Sequence, residues 1–412
     1  MMLKLDEKNI CYLSFDGMTD PLGQSQVIPY LIKLSQKGFC FHIISVEKPH
    51  VFLLKEKYIK NILDEHGIKW TTIPYSNKIP FISTVLTLRK LYNLSKKIFS
   101  ENKFQLIHFR GYTPGNIVRK LKRKFKIPVI FDMRSFLPEE RVLAGMWNLN
   151  NPLHFGIYKY FKFLEKRFYK EFDRVISQTY LGKEVIRKWG FDEDTTKVEV
   201  VPCCADLELF NFNNYSSNDE MRKLELGIGS SDFVLGYVGS IGTWYCLDDM
   251  LSFFKVLLNQ KPNAKFVFLS PVEPDFVFDS AERIGIKKEN IRVKFIDRLL
   301  MPEYIAIFDW SIFFIKSGVG KAASCPVKHG ELMGMGVPVI ANSNVGDIDL
   351  IVGEEESGLI VKSLDTANYE DTLRKLKDFC KSKDEIRNIG KKYYNLSKGV
   401  SSYWKIYNEL LK

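Results

Sequence analysis

Lys321, Lys328 and Glu331 stand ahead of a small-residue turn and an apolar run, Gly336-Val337-Pro338-Val339-Ile340-Ala341. Two lysines can neutralise a diphosphate, and a carboxylate one helical turn beyond Lys328 can accept hydrogen bonds from both hydroxyls of a ribose. That combination suits a nucleotide sugar. The competing reading is a solvated helix face, because Lys/Glu pairs three residues apart are common on exposed helices. A second group of residues lies near the start of the chain. The apolar run 9–15 is followed by Asp16-Gly17-Met18-Thr19-Asp20-Pro21-Leu22-Gly23-Gln24-Ser25-Gln26 and then by a helical pattern through Leu34. A strand, a glycine-bearing loop and a helix N-terminus in succession make an anion site, since backbone N–H groups of a first helical turn have no partner within the helix. The loop lacks G-x-G-x-x-G and so is not a dinucleotide fingerprint.

These two blocks, with Phe131-Asp132-Met133-Arg134-Ser135, Val201-Pro202-Cys203-Cys204-Ala205-Asp206 and Gly236-Tyr237-Val238-Gly239-Ser240-Ile241-Gly242-Thr243-Trp244-Tyr245, fall in order along residues 9–349. Together they resemble the GT-B fold retaining glycosyltransferases of family 4, the group 1 type, which place a glutamate just before a small-residue turn and a "G-x-P-V" strand. The resemblance implies two doubly wound Rossmann-like α/β domains facing across a cleft. It implies that the first loop, with Gly23 and Gln24, faces the donor phosphates and that Glu331 binds the donor ribose. On the acceptor side it points to Asp132 and Arg134. Asp132 can orient or deprotonate an acceptor hydroxyl with Arg134 holding it ionised, or the two can form a structural salt bridge. Glu139, Glu140 and Arg141 follow at once and can line the same mouth, and His108, beside Phe109, reads as structural.

The chain departs from the family pattern in two places. An E-x7-E pair is frequent in the family, but Ala323 stands eight residues before Glu331. The Arg and Lys that usually follow the first strand of the second domain are replaced by Ser240 and by Tyr245 or Cys246. Lys316, Lys321 and Lys328 are the replacements for that phosphate clamp, with Lys321 stabilising the leaving group, and the loop of Gly239, Ser240, Gly242 and Thr243 can add backbone donors. Asp347-Ile348-Asp349 has D-x-D spacing but sits in a turn, where capping carboxylates are expected, so no metal ligand is assigned.

Positioning these groups takes alternating strands and helices. Apolar runs at 9–15, 39–46, 69–74, 105–109, 128–132, 174–178 and 198–202 predict one mainly parallel sheet, and runs at 233–239, 265–270, 291–296, 310–315 and 337–341 predict a second. The polar stretch 211–219 reads as linker. The expected organisation is an acceptor-side domain over 1–210, a linker over 211–230, a nucleotide-sugar domain over 231–395, and a terminal helix over 396–412 that the resemblance carries back to the first domain.

The 412 residues suffice for two hydrophobic cores, and 45% hydrophobic with 26% charged residues reads as globular. Seven cysteines without C-x-x-C or regular spacing argue against a zinc site or a disulfide framework and fit a reducing compartment. The opening MMLKLDEKN lacks a secretory apolar core, which predicts a cytoplasmic location. The net charge of +11 welcomes an anionic partner. Residues 88–97 and 155–170 mix cations with bulky apolar groups, which suits peripheral attachment to the inner face of an anionic membrane, or plain cover for a sheet. Without an RNA-binding motif, nucleic acid is not expected.

The function expected is retaining transfer, of EC 2.4 type, from a UDP- or GDP-sugar to a glycan or lipid-linked acceptor in surface polysaccharide synthesis, with no cofactor. A nucleotide-sugar epimerase of GT-B fold and a non-catalytic nucleotide- or membrane-binding protein are the alternatives.

Overall fold

The computed structural model describes residues 8–75, 80–191, 197–215 and 219–412. Residues 1–7, which include most of the opening segment, and Ser216-Ser217-Asn218 of the expected linker lie outside the described residues. The chain divides into two compact units. One contains the residues up to Val142, Trp147–Pro202 and Ser397–Lys412, and the other contains Leu143–Met146 and Cys203–Leu396.

The sheet of the first unit is built from β1 (Lys8–Ser14), β2 (Phe39–Glu47), β3 (Lys69–Pro74), β4 (Leu106–Arg110), β5 (Val129–Asp132), β6 (Arg174–Ser177) and β7 (Val198–Val200). Their order is β3-β2-β1-β4-β5-β6-β7, with every neighbouring pair parallel. Parallel strands covered by helices on both faces need apolar side chains on both sides, which is why Ile10, Cys11, Tyr12 and Leu13 run without polar alternation and are all buried. Phe109 stacks on Phe131 at 5.0 Å, and Phe168 of the helix Pro152–Glu171 and Phe172, which caps its end, close around them. The helix Leu396–Leu410 joins this unit. Its Tyr403 and Tyr407 are buried, and the Tyr407 hydroxyl bonds Nδ1 of His108 at 2.7 Å.

The second unit contains β8 (Val234–Val238), β9 (Lys265–Leu269), β10 (Ile291–Lys294), β11 (Trp310–Phe313), β12 (Val339–Asn342) and β13 (Gly358–Val361), ordered β10-β9-β8-β11-β12-β13 and again all parallel. Each unit is a Rossmann-like domain, and strand order reverses beside β1 in the first sheet and beside β8 in the second. Open α/β sheets bind ligands at such reversals, beyond the carboxyl ends of the strands. β13 is absent from the sequence reading because its run is only four residues long. The paired backbone completes it: a Cβ on Gly358 would lie 2.1 Å from the Val339 carbonyl oxygen.

Arg387, on the helix Lys383–Tyr394, ties this unit together. Its buried guanidinium donates to the carbonyls of Leu207, Phe210 and Gly334 at 2.6, 2.7 and 2.5 Å. In Arg387→Met those carbonyls lose their donor inside the protein, and urea unfolding is expected to show a loss of about 3 kcal/mol. A loss below about 1 kcal/mol would show that water replaces the three bonds.

Candidate functional site

The carboxyl end of β8 leads into Gly239, whose φ of +99° is a conformation that suits only glycine. The loop that follows is held at both ends. The Tyr237 hydroxyl donates to the Ser240 carbonyl at 2.8 Å, and Lys316 N donates to the Trp244 carbonyl at 2.9 Å while Tyr245 bridges to Ile315. Ser240, Gly242, Thr243 and Lys316 are exposed along it.

Two lysines converge on the rings of this loop. Lys321, buried at the end of the short turn Val319–Lys321, places Nζ 3.5 Å from the centroid of Trp244. Lys328, in the first turn of the helix Val327–Gly334, inserts Nζ between Tyr237 and Tyr245, at 4.0 and 3.8 Å from their centroids. The Lys328 amine is buried and has no hydrogen-bond partner. Cation–π attraction supplies about 2 kcal/mol to a desolvated ammonium, whereas removing an ammonium from water costs several. Desolvation therefore wins, and burial holds the Lys328 amine well below the usual lysine range, with the Glu331 carboxylate opposing. Glu331, one turn along, is buried and paired to Arg298 Nη1 at 2.6 Å; the Arg298 guanidinium lies over Phe210 and is 43% exposed. The structure thus brings Lys321, Lys328, Glu331 and the loop of residues 239–243 to one end of the second sheet. Ala323, where the family pattern has its first glutamate, is fully buried. Asp349 accepts from Asn344 N at 2.8 Å, a turn-closing bond, and among the described residues no cluster of three His, Cys, Asp or Glu could hold a metal ion.

In the first unit, the ends of β1, β4 and β5 carry a polar cluster. Arg110 Nε bonds Asp16 at 3.2 Å and its Nη2 bonds Gln26 at 3.0 Å; Asp132, with a side chain only 3% exposed, is paired with Arg134 Nη1 at 3.2 Å. Arg134 also donates to Gln26, and its φ of +69° is unusual for a residue with a side chain. Such strain, held in place by a network, marks positions worth testing for function. His108 is not part of this cluster. Burial lowers its pKa to about 4, so the ring is neutral against Tyr12, Tyr403 and Tyr407. Glu139 turns to Lys162 at 2.8 Å.

The first loop is fixed from beneath by Glu47. Its buried carboxylate accepts from Met18 N at 2.7 Å, Thr19 N at 3.2 Å, Thr19 Oγ1 at 2.6 Å and Ser45 Oγ at 2.5 Å. Gly23 packs so closely on this loop that a Cβ would lie 2.3 Å from the Gly17 carbonyl oxygen. Gln24 Nε2 donates to the Thr19 carbonyl at 2.7 Å, so both residues shape the loop.

Comparison with known proteins decides the family. Residues 24–209 match the family model for glycosyltransferase family 4, and residues 219–394 match that for glycosyl transferases group 1. The chain belongs to the GT-B glycosyltransferases of group 1. It is 22% identical over 306 residues to D-inositol 3-phosphate glycosyltransferase of Nocardia farcinica, a match covering 70% of this chain and 61% of that protein. Over 214 residues it is 24% identical to the capsular polysaccharide biosynthesis glycosyltransferase CapM of Staphylococcus aureus, covering 50% of this chain and 53% of the relative. The matches span about half to three-fifths of the length of these curated relatives. In fold it is similar to Anabaena HepE in complex with UDP, with TM-score 0.70 and 12% identity over 97% of this chain and 100% of that one.

Within this group 1 chain, Arg110, Glu47, Arg298 and the roles of Tyr237, Trp244 and Tyr245 as ring partners of the lysines escaped the sequence reading. Arg110 and Glu47 carried a signal, a charge ending an otherwise apolar strand. Arg298 carried none, because its pairing with Glu331 spans 33 residues. Removing the buried acceptor in Glu47→Ala leaves the amides of Met18 and Thr19 unsatisfied. Chemical denaturation is expected to show a loss of about 3 kcal/mol, and an unchanged midpoint would mean that the loop does not depend on Glu47.

Proposed function

We propose that this group 1 protein is a retaining glycosyltransferase that moves a sugar from a UDP- or GDP-sugar to a glycan or lipid-linked acceptor in surface polysaccharide synthesis. The observation that carries the reading is the convergence of Lys321, Lys328 and the buried Glu331 beside the Gly239 loop at a strand-order reversal. Two amines at this place answer the main demand of the reaction, charge growing on a departing diphosphate, and Glu331 offers paired oxygens to ribose hydroxyls. Similarity to a D-inositol 3-phosphate glycosyltransferase and to a capsular polysaccharide biosynthesis glycosyltransferase supports sugar transfer, and the second of these supports surface glycan work. UDP bound to HepE supports a uridine donor. On the acceptor side Asp132, fixed in place by its ion pair with Arg134, suits orientation of an acceptor hydroxyl.

Neutralising both lysines in Lys321→Met/Lys328→Met is expected to lower kcat at least 100-fold, on the order of 2.7 kcal/mol of transition-state stabilisation, and to raise donor KM far less. Steady-state kinetics with UDP- and GDP-sugars checks this, and wild-type turnover in the double variant would defeat the assignment. Glu331→Gln is expected to reduce the rise in Tm that saturating nucleotide diphosphate gives the wild-type protein.

The proposal includes attachment to the inner face of an anionic membrane. Among the described residues no helix is long and apolar enough to cross one. The helix Pro152–Glu171 exposes Leu153, Phe155, Tyr160 and Phe163 together with Lys159, Lys166 and Lys170. Lys162, another cation of the tract 155–170, instead turns inward to Glu139 and Glu165 and lies over the Trp189 ring. The variant that tests attachment is therefore Lys159→Glu/Lys166→Glu/Lys170→Glu. Its sedimentation with anionic liposomes at low salt is expected to fall at least tenfold, and binding equal to the wild type would reduce this helix to cover for the sheet.

A further inference from the structure

The aromatic loop that replaces the usual Arg/Lys clamp does more than fill space. Lys328 Nζ lies between two tyrosine rings, has no hydrogen-bond partner, and is so close to the backbone that a Cβ on Gly239 would stand 3.2 Å from it. An amine that must clamp a diphosphate has to be an ammonium when it does so, with oxygen acceptors for its protons. Among the described residues the titratable and charged groups around it are Tyr237 from β8, Tyr245 from the loop after β8, and Glu331 from its own helix. Glu331 is already paired with Arg298. Neither phenol is a counter-ion, since burial pushes Tyr245 up to about 12 and Tyr237 well above the ordinary range. Glu331, shared with Arg298, opposes the desolvation of the amine only in part, and no acceptor bonds it until an anion arrives.

We propose that Tyr237 and Tyr245 are positioning residues that hold the Lys328 amine uncharged and without a hydrogen-bond partner until a nucleotide diphosphate binds, so that donor binding takes up one proton at Lys328. The proposal rests on the donor-site reading given above. The added proton comes from solvent, forms the third N–H bond of the ammonium and leaves the phosphate oxygens as acceptors. Lys321, whose Nζ lies on Trp244 instead, is not required to change its charge. Above the free-protein pKa of Lys328, donor affinity then falls with rising pH by up to about tenfold per unit, until the pKa of the complex is passed.

Calorimetric titration of UDP and of GDP into the full chain, in buffers of differing ionisation enthalpy, counts the protons directly. At about pH 8 the terminal phosphate of the free nucleotide is already ionised and contributes none. The expected result is uptake of about one proton per nucleotide in the wild type and close to none in Lys328→Met. Tyr245→Phe keeps the ring and is expected to keep the uptake. Tyr245→Ser admits water, lets the amine charge beforehand, and is expected to bind nucleotide with little uptake. Nucleotide binding by the wild type without proton uptake, or unchanged uptake in Tyr245→Ser, overturns the inference. If Tyr245→Ser does not fold, the wild-type measurement and the pH dependence of its affinity decide alone. Absence of any nucleotide binding would instead defeat the donor-site reading, and this inference with it.

Discussion

Parallel pairing with helices on both faces leaves few places in either sheet where a charged side chain can stand. Interior positions of β1, β4, β8 and β11 are buried, so polar chemistry is pushed to the residues at and just beyond the carboxyl ends. Arg110 ends β4 and Asp132 ends β5; Gly239 directly follows β8. Each charge placed there is only partly hydrated and must find a partner in a neighbouring strand end or loop. The polar cluster of the first unit and the lysine site of the second are two outcomes of that one constraint.

The two outcomes differ in how charge is balanced. In the first unit Arg110 and Arg134 meet Asp16 and Asp132, with Gln26 bridging, so the cluster is close to neutral and held by directional bonds. In the second unit the Glu331 carboxylate is taken by Arg298, the Lys328 amine lies between two aromatic faces with no hydrogen-bond partner, and Lys321 lies over Trp244. The two rings fix the place of the Lys328 amine without offering it a hydrogen-bond acceptor or a full counter-charge. Such an arrangement favours a site that receives its counter-charge from a ligand. The presence of Ser240 and of Tyr245 or Cys246 where the family pattern has cations fits this view, since rings of this loop hold lysines from another segment.

Most strands, the fold class and the family were legible in the residue order, because buried parallel strands give continuous apolar runs and because Gly336-Val337-Pro338-Val339 follows Glu331 at a fixed distance. The short strand Gly358–Val361 was not legible, since its existence depends on pairing with Val339–Asn342 rather than on its own composition. Lys321, Lys328 and Glu331 could be singled out from type and spacing. Their partners could not: Arg298 is 33 residues from Glu331, and Trp244 and Tyr245 are more than 70 residues from the lysines they hold.

By itself, then, the sequence determined which groups are present and which local elements carry them, because hydrophobic period and turn chemistry act over a few residues. The tertiary structure alone decided their chemical state. Whether Lys328 lies in water or between two rings, whether Lys162 faces outward or meets Glu139 and Glu165, and whether His108 is a base or a neutral partner of Tyr407 all depend on desolvation and on distances of a few ångströms. Those quantities are set by which distant segments pack together, and Coulomb and hydration energies change too steeply over such distances for local sequence to specify them.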